Sequence, residues 1–196
     1  MSEFWTYFQI AWNHVLDIKS YYHILIVIAL ITPYSFREWK TVSVLITILG
    51  VGEIVALFLA FFGVVNNNFD FTALLIPITI LIAALFNFFT IGKASKGNGI
   101  NWIGFLALVF GIIHGLAFYN YYISVVTGTL SHKLMPLLEY TIGIQVVQLV
   151  IALFFLILSY IIQNFFRFSK RDFILVCSSF TIGVVLPIII TQVFLK

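Results

Sequence analysis

The sequence predicts an all-α membrane protein in which six transmembrane helices follow a short amphipathic N-terminal helix. Hydrophobic residues make up 62% of the 196 residues and charged residues only 9%, and the mean hydropathy is +1.14. These values lie well outside the range of soluble globular domains. The apolar residues form long continuous stretches rather than alternating with polar residues, which favours membrane helices over strands.

The N-terminal segment FWTYFQIAWNHVLD places apolar residues at helical spacing, among them Phe4, Phe8, Trp12 and Val15. Polar residues occupy the rest of its surface, which is typical of a helix at the membrane interface. A partly buried first turn of the bundle fits the same pattern equally well.

Six apolar stretches follow, roughly 21–36, 41–65, 71–91, 100–126, 137–165 and 173–195. All but the first reach the ~20 residues that a helix needs to cross a bilayer. Pro77 and Pro187 lie inside two of them, where each removes one backbone hydrogen bond. Because no Gly/Ser-rich linker divides the chain, we expect residues 1–196 to form a single integral membrane domain.

Basic residues predict the orientation, because Lys and Arg concentrate on the cytoplasmic side of membrane proteins. Seven of them fall in the first, third and fifth breaks: Arg37, Lys40, Lys93, Lys96, Arg167, Lys170 and Arg171. The opposite side holds three, Lys19, Lys133 and Lys196. Both termini are therefore expected outside, with 66–70 and 127–133 as external loops and 92–99 as a cytoplasmic turn.

Ionisable residues at membrane depth are costly and usually face the bundle interior, so each is a candidate site. The deep candidates are Glu53, near the midplane, and His114, in the outer half, while Glu139 and His23 are expected near the outer rim and His14 outside it. This distribution favours an outward-facing polar vestibule, in which imidazole and carboxylate could hold a divalent transition metal.

Structural roles remain open for both deep residues. His114 could form only an interhelical hydrogen bond, with Gly111 and Gly115 letting a neighbouring backbone approach. Glu53 has no lysine or arginine at its depth, so it must be protonated or paired, or serve as a ligand.

Other classes of protein find little support. No Gly-x-Ser-x-Gly or His-Glu-x-x-His motif is present, so no enzyme is expected. Cys177 is the only cysteine and excludes an internal disulfide. The scattered basic residues form no patch for nucleic acid. The expected partners are the lipid bilayer and a membrane protein or a second copy of the chain.

Five segments together carry a resemblance to a known family: FQIAWNHVLDIKSYYHILIVIAL, REWKTVSVLITILGVGEIVAL, LLIPITILIAALFN, FGIIHGLAFYNYY and YTIGIQVVQLVIAL. In this order they resemble the HupE/UreJ family of hydrogenase and urease accessory permeases, which is associated with uptake of nickel or cobalt. The resemblance implies a location in the bacterial cytoplasmic membrane and a divalent transition metal as the ion bound or moved.

Several polar positions depart from the family pattern. This chain has Tyr22-His23 where the family has an Asp-His pair, and Gly50-Val51-Gly52 where the family has Gly-His-Ser. It has Thr72-Ala73 where the family has an acidic residue, and Gln145 where the family has a glutamate. The positions that follow the pattern are His14, His23, Asn87, His114 and Gln148. Glu53, beside the missing histidine, is a candidate compensating ligand.

Two functions are compatible with this pattern. The first is a metal permease or metal-binding membrane protein, with His114, Glu53, His23 and His14 as ligands and Gln145, Gln148, Asn87 and Glu139 as supporting polar residues. The second is a non-transporting relative that keeps the scaffold and serves as a membrane subunit or partner-binding protein.

Overall fold

The structure, a computed structural model, describes residues 3–65, 69–91, 99–126 and 130–194. These residues form seven α-helices and contain no strand: α1 (Glu3–Leu16), α2 (Tyr22–Ile31), α3 (Trp39–Phe61), α4 (Phe69–Thr90), α5 (Gly99–Val125), α6 (Leu130–Asn164) and α7 (Lys170–Phe194). Short 3-10 turns at Ile18–Ser20 and Phe36–Glu38 precede α2 and α3. The expected loops at 66–70 and 127–133 and the turn at 92–99 lie mostly outside the described residues.

Five helices in the described part of the chain are long and apolar enough to cross a bilayer, namely α3 to α7. Their bounds follow the sequence prediction closely, except that α6 begins seven residues early, with Pro136 in its second turn. Large apolar side chains such as Phe105, Phe154 and Phe180 are more than half exposed on the outside of the bundle. The chain is an integral membrane protein by these properties.

The expected first span, 21–36, is wrong in length. Helix α2 has 10 residues, about 15 Å at a rise of ~1.5 Å per residue, which is half of a ~30 Å hydrocarbon core. Pro33 cannot continue it, because proline has no N–H to donate to the carbonyl of Ala29; that carbonyl accepts from Asn87 instead. Ser35 then starts the next helix, where its N–H and its Oγ both donate to Glu38 Oε2 at 2.8 Å.

Glycines let the helices approach closely at two interfaces. On α5, a Cβ added to Gly111 or Gly115 would collide with the backbone of α3 at Leu49 or Glu53. On α6, a Cβ added to Gly143 would lie 2.7 Å from the Cβ of Ala11 on α1. Such small-residue contacts are the usual way in which helices pack in lipid.

Helix α1 is partly buried rather than lying free at the interface. Ala11 and Val15 are fully buried in a cluster with Phe61, Phe118 and Leu137. Trp5 and Leu16 remain exposed on the other side of the helix. Of the two interpretations of the N-terminal segment, the structure therefore favours a partly buried first turn of the bundle over a helix at the membrane interface.

One end of the bundle carries the basic residues. Lys170 forms an ion pair with Glu38 at 3.5 Å, which brings the first and fifth breaks together. Lys40 lies over the ring of Trp39 at the same end, 5.7 Å from its centroid. The third break, with Lys93 and Lys96, lies outside the described residues. We call this the basic end.

Candidate functional site

Three histidines meet along one face of α5. His114, Phe118 and Tyr121 are spaced four and three residues apart, so their side chains share a face of the helix. The ring of His14 stacks on Tyr121 with centroids 3.6 Å apart. The ring of His23 stacks on Phe118 at 3.9 Å, one helical turn deeper. We call the three histidines with these two aromatic rings the histidine column.

His23 is the middle member of the column. Its ring centroid lies 5.3 Å from that of His14 and 5.8 Å from that of His114. The side chain is completely buried, and neither ring nitrogen has a hydrogen-bond partner. Leaving buried polar atoms unpaired costs about 1–3 kcal/mol each, so two such nitrogens on one ring are unusual in a protein interior.

The hydrogen bonds of Thr79 decide which nitrogen of His114 is free. Thr79 Oγ1 donates its only proton to the carbonyl of Ile76 at 2.7 Å, and it also lies 3.0 Å from His114 Nε2. It must therefore accept from Nε2–H, which leaves Nδ1 with a bare lone pair. Nδ1 is buried and has no partner. A hydrogen bond on one nitrogen that fixes the tautomer is typical of metal-binding histidines.

His14 brings the third imidazole from α1. Its Nδ1 lies 3.3 Å from Ser20 Oγ, while its Nε2 is buried without a partner. Burial lowers the pKa of His14 to about 4, and the nearby carboxylate of Asp17 opposes only part of that shift. At neutral pH the ring is uncharged, which is the form that binds metals.

All three histidines are buried within the bundle. His14 is only 6% exposed, and His23 and His114 are fully buried. His114 contacts Thr79, about halfway along α4. The column therefore extends from one side of the bundle towards its middle.

A cavity of about 800 Å³ lies beside His14, at one end of the column. His14, Tyr22 and Tyr121 form part of its wall, together with residues from the start of α4 and the end of α7. Because α7 begins at the basic end, this cavity lies at the opposite end of the bundle.

Glu53 belongs to a second polar cluster, between α3 and α6. Its side chain is 1% exposed, and its Oε1 accepts a hydrogen bond from Gln148 Nε2 at 2.7 Å. Glu53 Oε2, Gln148 Oε1, Gln145 Nε2 and the hydroxyl of Tyr140 are buried without partners. The amide pairing is the one considered from the sequence, and Glu53 faces the interior as expected.

The other predicted polar residues have local roles. Asn87 donates to the carbonyl of Ala29 at 2.7 Å and connects α4 to the C-terminal half of α2. Glu139 is half-buried, with Oε2 unpartnered. His132 is exposed on α6. In the described part of the chain, no group of three or more His, Cys, Asp or Glu side chains is placed so that it could hold a metal ion.

A family model described as HupE / UreJ protein matches residues 1–193. The chain belongs to the HupE/UreJ family. Comparisons with curated proteins and with solved structures gave no match. Membership of the HupE/UreJ family confirms the resemblance seen in the five sequence segments.

Val51 and Glu53 lie on different sides of α3. Val51 is 47% exposed on the outside of the helix, whereas Glu53 is buried. A histidine at position 51 would therefore face lipid rather than the interior.

Sequence reasoning missed the neighbours that organise the site. Thr79, Phe118, Tyr121 and Tyr140 were not among the predicted site residues. The four- and three-residue spacing of His114, Phe118 and Tyr121 was a usable signal, because it predicts a shared helix face. Nothing local to Thr79 indicates that it orients a histidine 35 residues away.

Proposed function

We propose that the protein is a transition-metal permease of the nickel or cobalt type, and that the metal moves from the cavity along the histidine column. The observation that carries this proposal is the set of unpartnered ring nitrogens on three successive buried histidines: His14 Nε2, both nitrogens of His23 and His114 Nδ1. Family membership supports a role in handling nickel or cobalt.

The spacing of the column suits passage better than storage. A permeation site must bind its ion well enough to admit it and weakly enough to release it, usually through several successive sites. Neutral imidazoles spaced 5.3 and 5.8 Å apart, centroid to centroid, offer such steps. A closed cage of charged ligands would retain the ion instead.

The proposed orientation puts the cavity outside and the basic end in the cytoplasm, following the positive-inside rule. The metal would then enter through the cavity and reach His114 near the middle of the bilayer. The role proposed for Glu53 is secondary: its carboxyl, held by Gln148, supplies the only acidic side chain buried among the described residues of the spans.

The test compares His23→Ala with His132→Ala, because His132 is an exposed histidine outside the column. Cells expressing each variant are assayed for uptake of radioactive nickel, and expression is checked by immunoblotting. We expect His23→Ala to abolish uptake above background and His132→Ala to retain it. Equal uptake by both variants would refute transport along the column.

A second candidate is a non-transporting membrane subunit. Two observations favour it. The described residues contain no group of three metal-binding side chains, and Thr72-Ala73 and Gln145 occupy positions where the family has acidic residues. Wild-type protein that neither transports nickel, cobalt or zinc nor binds them in detergent, but co-purifies from membranes with a stable partner, would establish this function instead.

A further inference from the structure

The cavity is much larger than a hydrated metal ion requires. Six waters around an ion occupy roughly 180 Å³, at ~30 Å³ each. The cavity of about 800 Å³ holds more than four times that volume. It falls instead in the range of roughly 300–1,000 Å³ that is typical of pockets for small organic ligands.

The wall chemistry also differs from that of a site for a bare cation. Ile76, Ile80, Val185 and Ile188 give the cavity a largely aliphatic side. Such a wall offers no polar group to a divalent ion or to its hydration shell. An uncharged complex of the same metal can contact the wall through the apolar parts of its organic ligands.

The charges around the cavity cancel. Among the residues that line it, Asp17 carries one negative charge and Lys19 one positive charge. The cavity therefore has no net negative charge with which to attract a free divalent cation. Mixed polar groups over an apolar wall suit a neutral ligand with polar edges.

We propose that the cavity binds the metal as a neutral chelate with small organic anions, such as two amino-acid ligands, rather than as the hydrated ion. This inference rests on the proposed permease function and names the substrate class of its entrance. Gln192 Oε1, buried without a partner in the wall, and the phenols of Tyr22 and Tyr121 are the polar groups that would contact the organic part.

Equilibrium dialysis of the purified protein in mild detergent tests this inference. The probes are nickel sulfate alone, L-histidine alone, and nickel with excess L-histidine, with the metal and the amino acid carrying different radiolabels. We expect histidine to be retained together with nickel, histidine alone not to be retained, and the complex to bind at least about tenfold more tightly than nickel alone, which corresponds to about 1.4 kcal/mol.

A matched pair of variants on α7 locates the binding. Ile188 lines the cavity, whereas Ile190 is 45% exposed on the outside of the same helix. Ile188→Trp should fill part of the cavity and weaken retention of the nickel–histidine complex about tenfold or more. Ile190→Trp should bind the complex like the wild type, since it adds the same side chain without changing the cavity.

Each outcome is decisive. Nickel retained without histidine, with an affinity unchanged in Ile188→Trp, would overturn the chelate inference and leave the permease intact. Retention of neither nickel nor its complex would reject both proposals. Retention of the complex in the wild type and in Ile190→Trp, with loss in Ile188→Trp, would support both.

Discussion

Replacing Gly111 with alanine should destabilise the protein, although alanine is the better helix former. A Cβ at this position would meet the carbonyl oxygen of Leu49 and lie 3.1 Å from the Cα of Gly52. Apolar atoms rest about 3.5–4.0 Å apart, and backbone atoms cannot rotate away as a side chain can. Helices α3 and α5 must therefore separate.

The magnitude follows from two opposing effects. Overpacking a tight interface costs about 1–3 kcal/mol, and a clash with backbone places this site near the upper end. The higher helix propensity of alanine stabilises the helix by about 1 kcal/mol relative to glycine. We expect a net loss of about 2 kcal/mol in the free energy of unfolding.

Gly183→Ala is the matched control. A Cβ on Gly183 has no heavy atom within 4 Å, so this variant keeps only the propensity gain and should be as stable as the wild type or up to about 1 kcal/mol more stable. Reversible unfolding in mixed micelles of dodecyl maltoside and SDS, followed by circular dichroism, measures both variants. Equal stability of the two would refute the close packing of α3 against α5.

Three further predictions test other parts of the molecule. Glu53→Gln should unfold within about 1 kcal/mol of the wild type because an amide still accepts from Gln148, whereas Glu53→Leu should lose about 1–3 kcal/mol; equal losses would contradict the pairing. Gly143→Leu should displace α1 and its histidine and reduce nickel retention in dialysis about tenfold; unchanged retention would show that α1 is dispensable. In a cysteine-free background, a cysteine at Lys19 should react with an impermeant maleimide in intact cells and one at Arg167 only after permeabilisation; the reverse pattern would invert the proposed orientation.

The long helices could be predicted from the sequence because hydropathy alone determines them. Apolar stretches separated by short polar breaks predicted α3 to α7 within a few residues at most ends. The interior positions of Glu53 and His114 followed for the same reason, since ionisable groups avoid lipid. Both are fully or almost fully buried.

The assembly of the histidine column could not be predicted in this way. His14 reaches Tyr121 because α1 docks on α6 through Ala11 and Gly143, residues that are 132 positions apart in the sequence. His23 is buried because α2 packs against α4 and α6. Both placements depend on packing between distant segments, which hydropathy does not encode.

Helix α2 leaves half of its path through the bundle unfilled. The absent half of a full-length span would be a cylinder about 10 Å wide and about 15 Å long, with a volume on the order of 1,000 Å³. The cavity, at about 800 Å³, is lined by Ser20, Tyr21 and Tyr22 at the start of α2. A helical turn inserted before Tyr22 would lengthen α2 by about 5.4 Å at this end, so we expect it to reduce the volume of the cavity.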